Sequence, residues 1–260
     1  MTSSIVVDHV TKQFTMQYHR TMKQMAVAAM QRLPLKESFT AVDNVSFTIE
    51  QGESIGLMGL NGSGKSTLLS LINGVLRPDH GRILTRGRIA GLIATGAGFH
   101  PQMTGRENLF LNGAMMGMTE VEAKRKFDDI VEFADIGRFL DTPVSHYSSG
   151  MTARLGFAIA VHVDADIFLA DEVLAVGDRP FKKKCLARMQ EIRAQGTTMF
   201  YVSHAAASVR TMCDRVLVLE SGKLNFDGDP DEGIRYLHYD DDTETDEVGV
   251  EADEEMGADI

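Results

Sequence analysis

Nine consecutive residues, Gly59-Leu60-Asn61-Gly62-Ser63-Gly64-Lys65-Ser66-Thr67, have the types and spacing of a loop built to hold phosphate. Glycines at 59, 62 and 64 let the backbone curl until successive N–H groups face one anion, a path that side chains at the tightest bends would block. A helix expected over 64–74 aims its N-terminus at the same anion. Lys65 is spaced to reach the outer phosphates, and the Ser66 hydroxyl to complete the shell of a magnesium ion bridging them. Before the loop, Glu53-Ser54-Ile55-Gly56-Leu57-Met58 reads as a strand, so the strand–loop–helix context is present and the chain is expected to bind a nucleoside triphosphate.

Acid–base chemistry has its own candidates. The apolar run Ile167-Phe168-Leu169-Ala170 ends in Asp171-Glu172, which suits phosphoryl transfer: Asp171 supports magnesium and Glu172 polarises the attacking water. Ser203-His204 closes a second apolar run, Thr198–Val202, and sets an imidazole at the carboxyl edge of the sheet, where α/β folds bind ligands. Tyr147-Ser148-Ser149-Gly150-Met151 opens a helix expected over Thr152–Val161.

These groups need a scaffold. Alternation in Ile5-Val6-Val7 and Val45–Ile49 predicts antiparallel strands, while the runs Ser54–Met58, Asp166–Ala170, Thr198–Val202 and Arg215–Leu219 suit a sheet buried on both faces. The fold class is therefore α/β, a mixed sheet with an antiparallel flank. Residues 105–140, 150–163 and 179–195 are helical by period, giving a nucleotide-binding core over 1–239 with an inserted helical subdomain at about 99–163. Met22, Met25, Ala26, Ala29, Met30 and Leu33 recur at helical spacing, so an amphipathic helix is expected at about 20–33, stopped by Pro34. Its Met-rich stripe, beside His19, Arg20, Lys23 and Arg32, suits either packing on its own core or a partner helix or anionic membrane face.

With 260 residues and 43% hydrophobic composition the chain has ample material for a core. No apolar run approaches the roughly 20 residues that cross a bilayer, and the start has no secretory signal pattern, so a cytoplasmic location is expected. Cys185 and Cys213 are isolated, with no CxxC spacing and no local His pairing, so neither a disulfide framework nor a zinc site is expected and reduced packing residues are the better reading. The net charge of −11 resides wholly in residues 240–260, which carry eleven Asp or Glu and no Lys or Arg. That block cannot bury enough surface to offset chain entropy and is expected to be disordered; its charge argues against a nucleic-acid ligand.

The joint series of phosphate loop, Ser148-Ser149-Gly150, Asp171-Glu172, Ala175-Val176-Gly177-Asp178 and His204 resembles the nucleotide-binding domain of ATP-binding cassette transporters, a P-loop NTPase fold, over essentially residues 3–238. The resemblance implies two copies facing head to tail, with Ser148-Ser149-Gly150 closing over the γ-phosphate held by the other copy's loop. It implies further that Glu172 is the general base, that His204 contacts the γ-phosphate and that Asp178 lies in the dimer-contact loop. Phe14 would stack on adenine, with Tyr18 a lesser candidate.

Within that family the chain resembles cassettes that export teichoic acids, O-antigens and capsules, carried by Gly96-Ala97-Gly98-Phe99-His100-Pro101-Gln102-Met103-Thr104-Gly105-Arg106-Glu107-Asn108 and by Asp171–Asp178. This implies a separate membrane permease as partner and a peripheral place on the cytoplasmic face of the inner membrane. Where many cassettes have a magnesium-sensing Gln, this chain has Ala94, and Gln102 follows Pro101 in a different place. The acidic tail leaves no room for a sugar-binding domain after the cassette, so cargo recognition is expected in the permease. A GTPase reading fails for want of an Asn-Lys-x-Asp; an importer or a non-transport regulatory cassette is the alternative.

Overall fold

The computed structural model describes residues 2–17, 36–92, 98–171 and 178–237. The expected helix at 20–33, Tyr18, Ala94, the stretch from Glu172 to Gly177 and the acidic residues 240–260 lie outside them.

Strand β1 (Ser3–Gln17) pairs antiparallel with β2 (Lys36–Glu50), placing Ile5 opposite Ile49 and Phe14 opposite Phe39. β3 (Ser54–Met58) runs into the loop and α1 (Lys65–Ile72), after which β4 (His80–Thr85) pairs with the other side of β1 to give a three-stranded sheet in the order β2-β1-β4. β5 (Ile89–Leu92) precedes four helices: α2 (Gly105–Met115), α3 (Glu120–Arg125), α4 (Phe127–Ala134) and α5 (Ser149–Ala160). Then follow β6 (Ile167–Ala170), α6 (Arg179–Ala194), β7 (Thr198–Val202), α7 (Ala206–Met212), β8 (Arg215–Glu220), β9 (Lys223–Gly228) and α8 (Pro230–Tyr236). The second sheet has the order β5-β6-β7-β3-β8-β9, parallel except for the antiparallel pair β8–β9.

The central strands are mostly apolar because both faces are covered. Ile167, Leu169, Phe200, Val202, Leu217 and Leu219 pack with Ile5, Ile49, Leu68 and Leu69, between the two sheets. Their neighbours Phe168, Ala170, Met199, Tyr201, Val216 and Val218 pack with Leu109, Ile130, Leu155, Phe157 and Met189, beneath the helices.

The helical region differs from the continuous run expected over 105–140. Gly117, at φ +85°, breaks it after α2, and a fresh start at Thr119, whose side chain accepts from the Glu122 N–H, opens α3. Asp135, left-handed at φ +54°, ends α4. Helix α5 begins at Ser149, three residues before the Thr152 start expected and one before the helical period at 150, because Ser148 Oγ accepts the Met151 N–H at 3.2 Å and so supplies the cap there.

Candidate phosphate-binding site

The loop after β3 takes its shape from three left-handed glycines, with φ of +142° at Gly59, +80° at Gly62 and +108° at Gly64. Two of these positions are closed to any side chain on steric grounds as well: a Cβ on Gly59 would lie 2.1 Å from the Leu219 carbonyl oxygen, and one on Gly64 2.2 Å from that of Ala41. Gly62 faces open space. The Ser63 N–H donates to Leu60 O at 3.1 Å, and the Gly222 N–H donates to Ser63 O at 2.9 Å, fastening the loop to the β8–β9 turn.

The groups facing inward are donors. Helix α1 starts at Gly64 without a capping side chain and without an acid in its first turn, so its leading N–H groups have no intrahelical acceptor and its dipole no internal counter-charge. Lys65 is 7% exposed, and its ammonium donates to the Gly59 and Leu60 carbonyls at 2.6 and 2.9 Å. Ser63 Oγ is buried with no hydrogen-bond partner among the described residues. A buried hydroxyl of this kind fits a loop whose remaining partner is an anion.

Around these donors is a cavity of about 230 Å³. Asn61, Gly62, Gly64, Lys65, Ser66 and Thr67 line one side of it. Asp171, the residue after β6, and His204, two residues after β7, line another, at the carboxyl ends of the parallel strands. The Ser203 N–H donates to Leu57 O at 3.3 Å and Ser203 Oγ accepts the Ala205 N–H at 3.1 Å, which fixes the backbone on both sides of His204. Among the described residues no group of three or more His, Cys, Asp and Glu is placed to hold a metal ion by itself. Ser66 and Asp171 instead offer two hard oxygen donors on one cavity, a set suited to magnesium whose other ligands are phosphate and water.

Phe39, on β2, lines the cavity, together with Ala41. Phe14 is stacked behind it, ring centroids 6.0 Å apart and planes 21° apart, with the Lys12 ammonium 5.7 Å from its ring. Sequence reasoning missed Phe39, which belongs to no motif and lies outside the strand Val45–Ile49 that alternation predicts.

The remaining candidates sit elsewhere on the chain. Ser148 and Ser149 are exposed at the start of α5, and Asp178 caps α6 by accepting the Phe181 N–H at 3.3 Å. None of Ser148, Ser149, Gly150 and Asp178 lines the cavity. Asp178 also accepts from Arg154 Nη2 at 2.8 Å. Desolvation raises its carboxyl, but the Phe181 amide and the Arg154 guanidinium outweigh it and hold Asp178 below the usual carboxylate range. Both cysteines are free and buried, and burial pushes their thiols up to about 12. No helix among the described residues is long and apolar enough to cross a membrane.

Comparison with known proteins supplies the context. The family described as ABC transporter matches residues 42–175. The chain is 46% identical over 200 residues to the ABC transporter protein AbcA of Aeromonas salmonicida, covering 77% of this chain and 65% of that protein. Against the O-antigen export system ATP-binding protein RfbB of Klebsiella pneumoniae it is 40% identical over 220 residues, 83% of this chain and 89% of the relative. Against the teichoic acids export ATP-binding protein TagH of Bacillus anthracis it is 43% identical over 240 residues, 92% of this chain but 43% of the relative. The chain thus spans under two thirds of the AbcA and TagH proteins it matches. Among solved structures, the dimeric post-hydrolysis form of the ATP-binding cassette MJ0796 with ADP and phosphate superposes with a TM-score of 0.69 at 22% identity, covering 87% of this chain and 98% of that one. That likeness shows a common fold.

Proposed function

The chain belongs to the ABC transporter family, and on that footing we propose that it is the ATP-hydrolysing subunit of an exporter for a lipid-linked cell-surface polysaccharide, of O-antigen or teichoic acid kind. It works as a head-to-tail pair of identical chains on the cytoplasmic face of the inner membrane, beside a separate permease. The relatives named for O-antigen and teichoic acid export support the cargo class. The observation that carries the paired arrangement is the division of the site: the loop, Asp171 and His204 share one cavity, while Ser148, Ser149 and Asp178 stand exposed and line no part of it.

The chemistry follows from the donors. The N–H groups of Gly62 to Thr67 and the α1 N-terminus bind the phosphates, and Lys65 exchanges the Gly59 and Leu60 carbonyls for outer phosphate oxygens, keeping its buried charge paired. Ser66 and Asp171 would hold magnesium, which when bound neutralises charge on the β- and γ-phosphates. Glu172 takes the proton of the attacking water, and His204 donates to the γ-phosphate as the bond to ADP breaks. Ser148 and Ser149 of the second copy add donors at the far side, so that the site is complete only in the closed pair. The adenine rests on the Phe39–Phe14 stack.

Complementation tests the pairing. Lys65→Ala and Ser148→Arg homodimers each lack every complete site, whereas a mixture contains heterodimers with one. ATP turnover in the mixture well above both parents is the expected result; turnover at the parental level throughout removes the composite site.

A further inference from the structure

Helix α5 carries Ser148–Gly150 at its head, and one side chain six residues beyond the cap ties that helix to both of its neighbours. Arg154 Nη1 donates to Asp135 Oδ2 at 3.1 Å, and Nη2 to Asp178 Oδ1 at 2.8 Å. Asp135 ends α4 in the left-handed conformation, and Asp178 caps α6. The guanidinium also lies over the Phe181 ring, 4.8 Å from its centroid. Beneath it Phe133 of α4, Phe157 of α5 and Phe181 of α6 form a three-ring cluster with centroids 5.9 to 6.1 Å apart. The same three helices are therefore joined twice, by rings inside and by one cation at the rim. Both carboxylates are largely exposed, with side-chain accessibilities of 80% for Asp135 and 57% for Asp178, so the ion pairs add little to stability. A planar fork held by two carboxylates and a ring fixes direction instead.

We propose that Arg154 is a positioning residue for the proposed composite site: it sets the attitude of α5 so that Ser148, Ser149 and Gly150 meet the phosphate held by the second copy, and it locks that helix to Asp178 so the two move as one unit. This rests on the paired reading above. Arg154 acts on its partner's nucleotide and leaves its own chain's loop alone.

The test uses the full chain. Arg154→Ala is expected to bind a fluorescent ATP analogue as a monomer with wild-type affinity, to keep KM within about twofold, and to lose kcat by about tenfold or more, as small misplacements of donors do. In a Glu172→Gln background it should also fail to form the ATP-trapped dimer on size exclusion. Arg154→Lys, which reaches one carboxylate and has no planar fork, should recover part of the loss; it carries the same measurements if the alanine variant does not fold. Mixing Arg154→Ala with Lys65→Ala then decides the direction of action, because the heterodimer pairs an intact loop with an intact signature helix. Recovery of turnover supports action in trans. No recovery, in a preparation where Lys65→Ala with Ser148→Arg does recover, overturns the role of Arg154 and leaves the composite site standing. Failure of both mixtures overturns the two together, and loss of monomer nucleotide binding by Arg154→Ala overturns the positioning role by itself.

Discussion

The N-termini of α1 and α5 are built on opposite plans. Helix α1 opens at a left-handed glycine with no side-chain cap, its carbonyl-rich surroundings occupied by the Lys65 ammonium. Helix α5 opens at Ser148, whose own hydroxyl accepts the Met151 N–H. The first leaves its leading N–H groups at a cavity, and the second caps one of its own N–H groups while standing in solvent. A helix start without a cap leaves its N–H groups to water or to an anion, so α1 is suited to a ligand its own chain surrounds. The capped start of α5 needs no ligand to persist, which is compatible with the composite site proposed above.

The sharpest way to break this contrast is at the glycines. Gly64→Ala forces a Cβ to 2.2 Å from the Ala41 carbonyl oxygen at φ +108°, and a loss of about 3 kcal/mol in unfolding free energy is expected, together with loss of nucleotide binding. Gly62→Ala meets no atom of the described residues within 4 Å and is strained only in φ, so about 1 kcal/mol is expected. Urea denaturation of both variants, with titration of a fluorescent ATP analogue, measures the gap; equal effects would remove the steric account of the loop.

At α5 the cap and the proposed function separate. Ser148→Ala should cost about 1 kcal/mol in stability, and Ser148→Asp close to nothing, since aspartate caps as well as serine. Turnover should fall more for Ser148→Asp than for Ser148→Ala, because a carboxylate would face the partner's phosphate. The reverse order in an ATPase assay would confine Ser148 to capping.

The smallest effect is a pH dependence at Asp178. Its carboxyl is held below the ordinary 3.8, so its pairing with Arg154 stabilises fully above that value and is lost as pH falls through the lower folded value. Asp178→Asn retains a capping oxygen but no charge. Its melting temperature should lie slightly below wild type at neutral pH and converge with it in acid, and a gap that widens in acid would contradict the pairing.

Legibility followed burial and spacing. Strands β6, β7 and β8 were readable because both faces are covered, which makes every residue of Ile167–Ala170 and Thr198–Val202 apolar or buried. β4 was not, since His80–Thr85 lies largely exposed with polar residues at both ends and carries no alternation. Helical period also ran straight through Gly117, because a single left-handed residue changes direction without disturbing composition. At the site, the phosphate loop announced itself by fixed spacing. Phe39 did not, for its place on the cavity wall arises from the pairing of β2 with β1, a long-range register that local pattern does not encode. Arg154 likewise became visible only when α4 and α6 brought Asp135 and Asp178 to either side of it.

The alternate packing of the parallel strands bears on how this molecule comes apart. Successive residues of β6, β7 and β8 belong in turn to the layer beneath the helices and to the layer against the antiparallel sheet. Neither layer can therefore melt while the other survives, since releasing one face of a strand frees the backbone that anchors the other. Unfolding should be a single cooperative event, and amide exchange in β3, β6 and β7 should report the same opening free energy. Gly59, Asp171 and His204, placed just beyond the ends of those strands, would then be lost together, so that a molecule with half of that strand-end edge should not be populated.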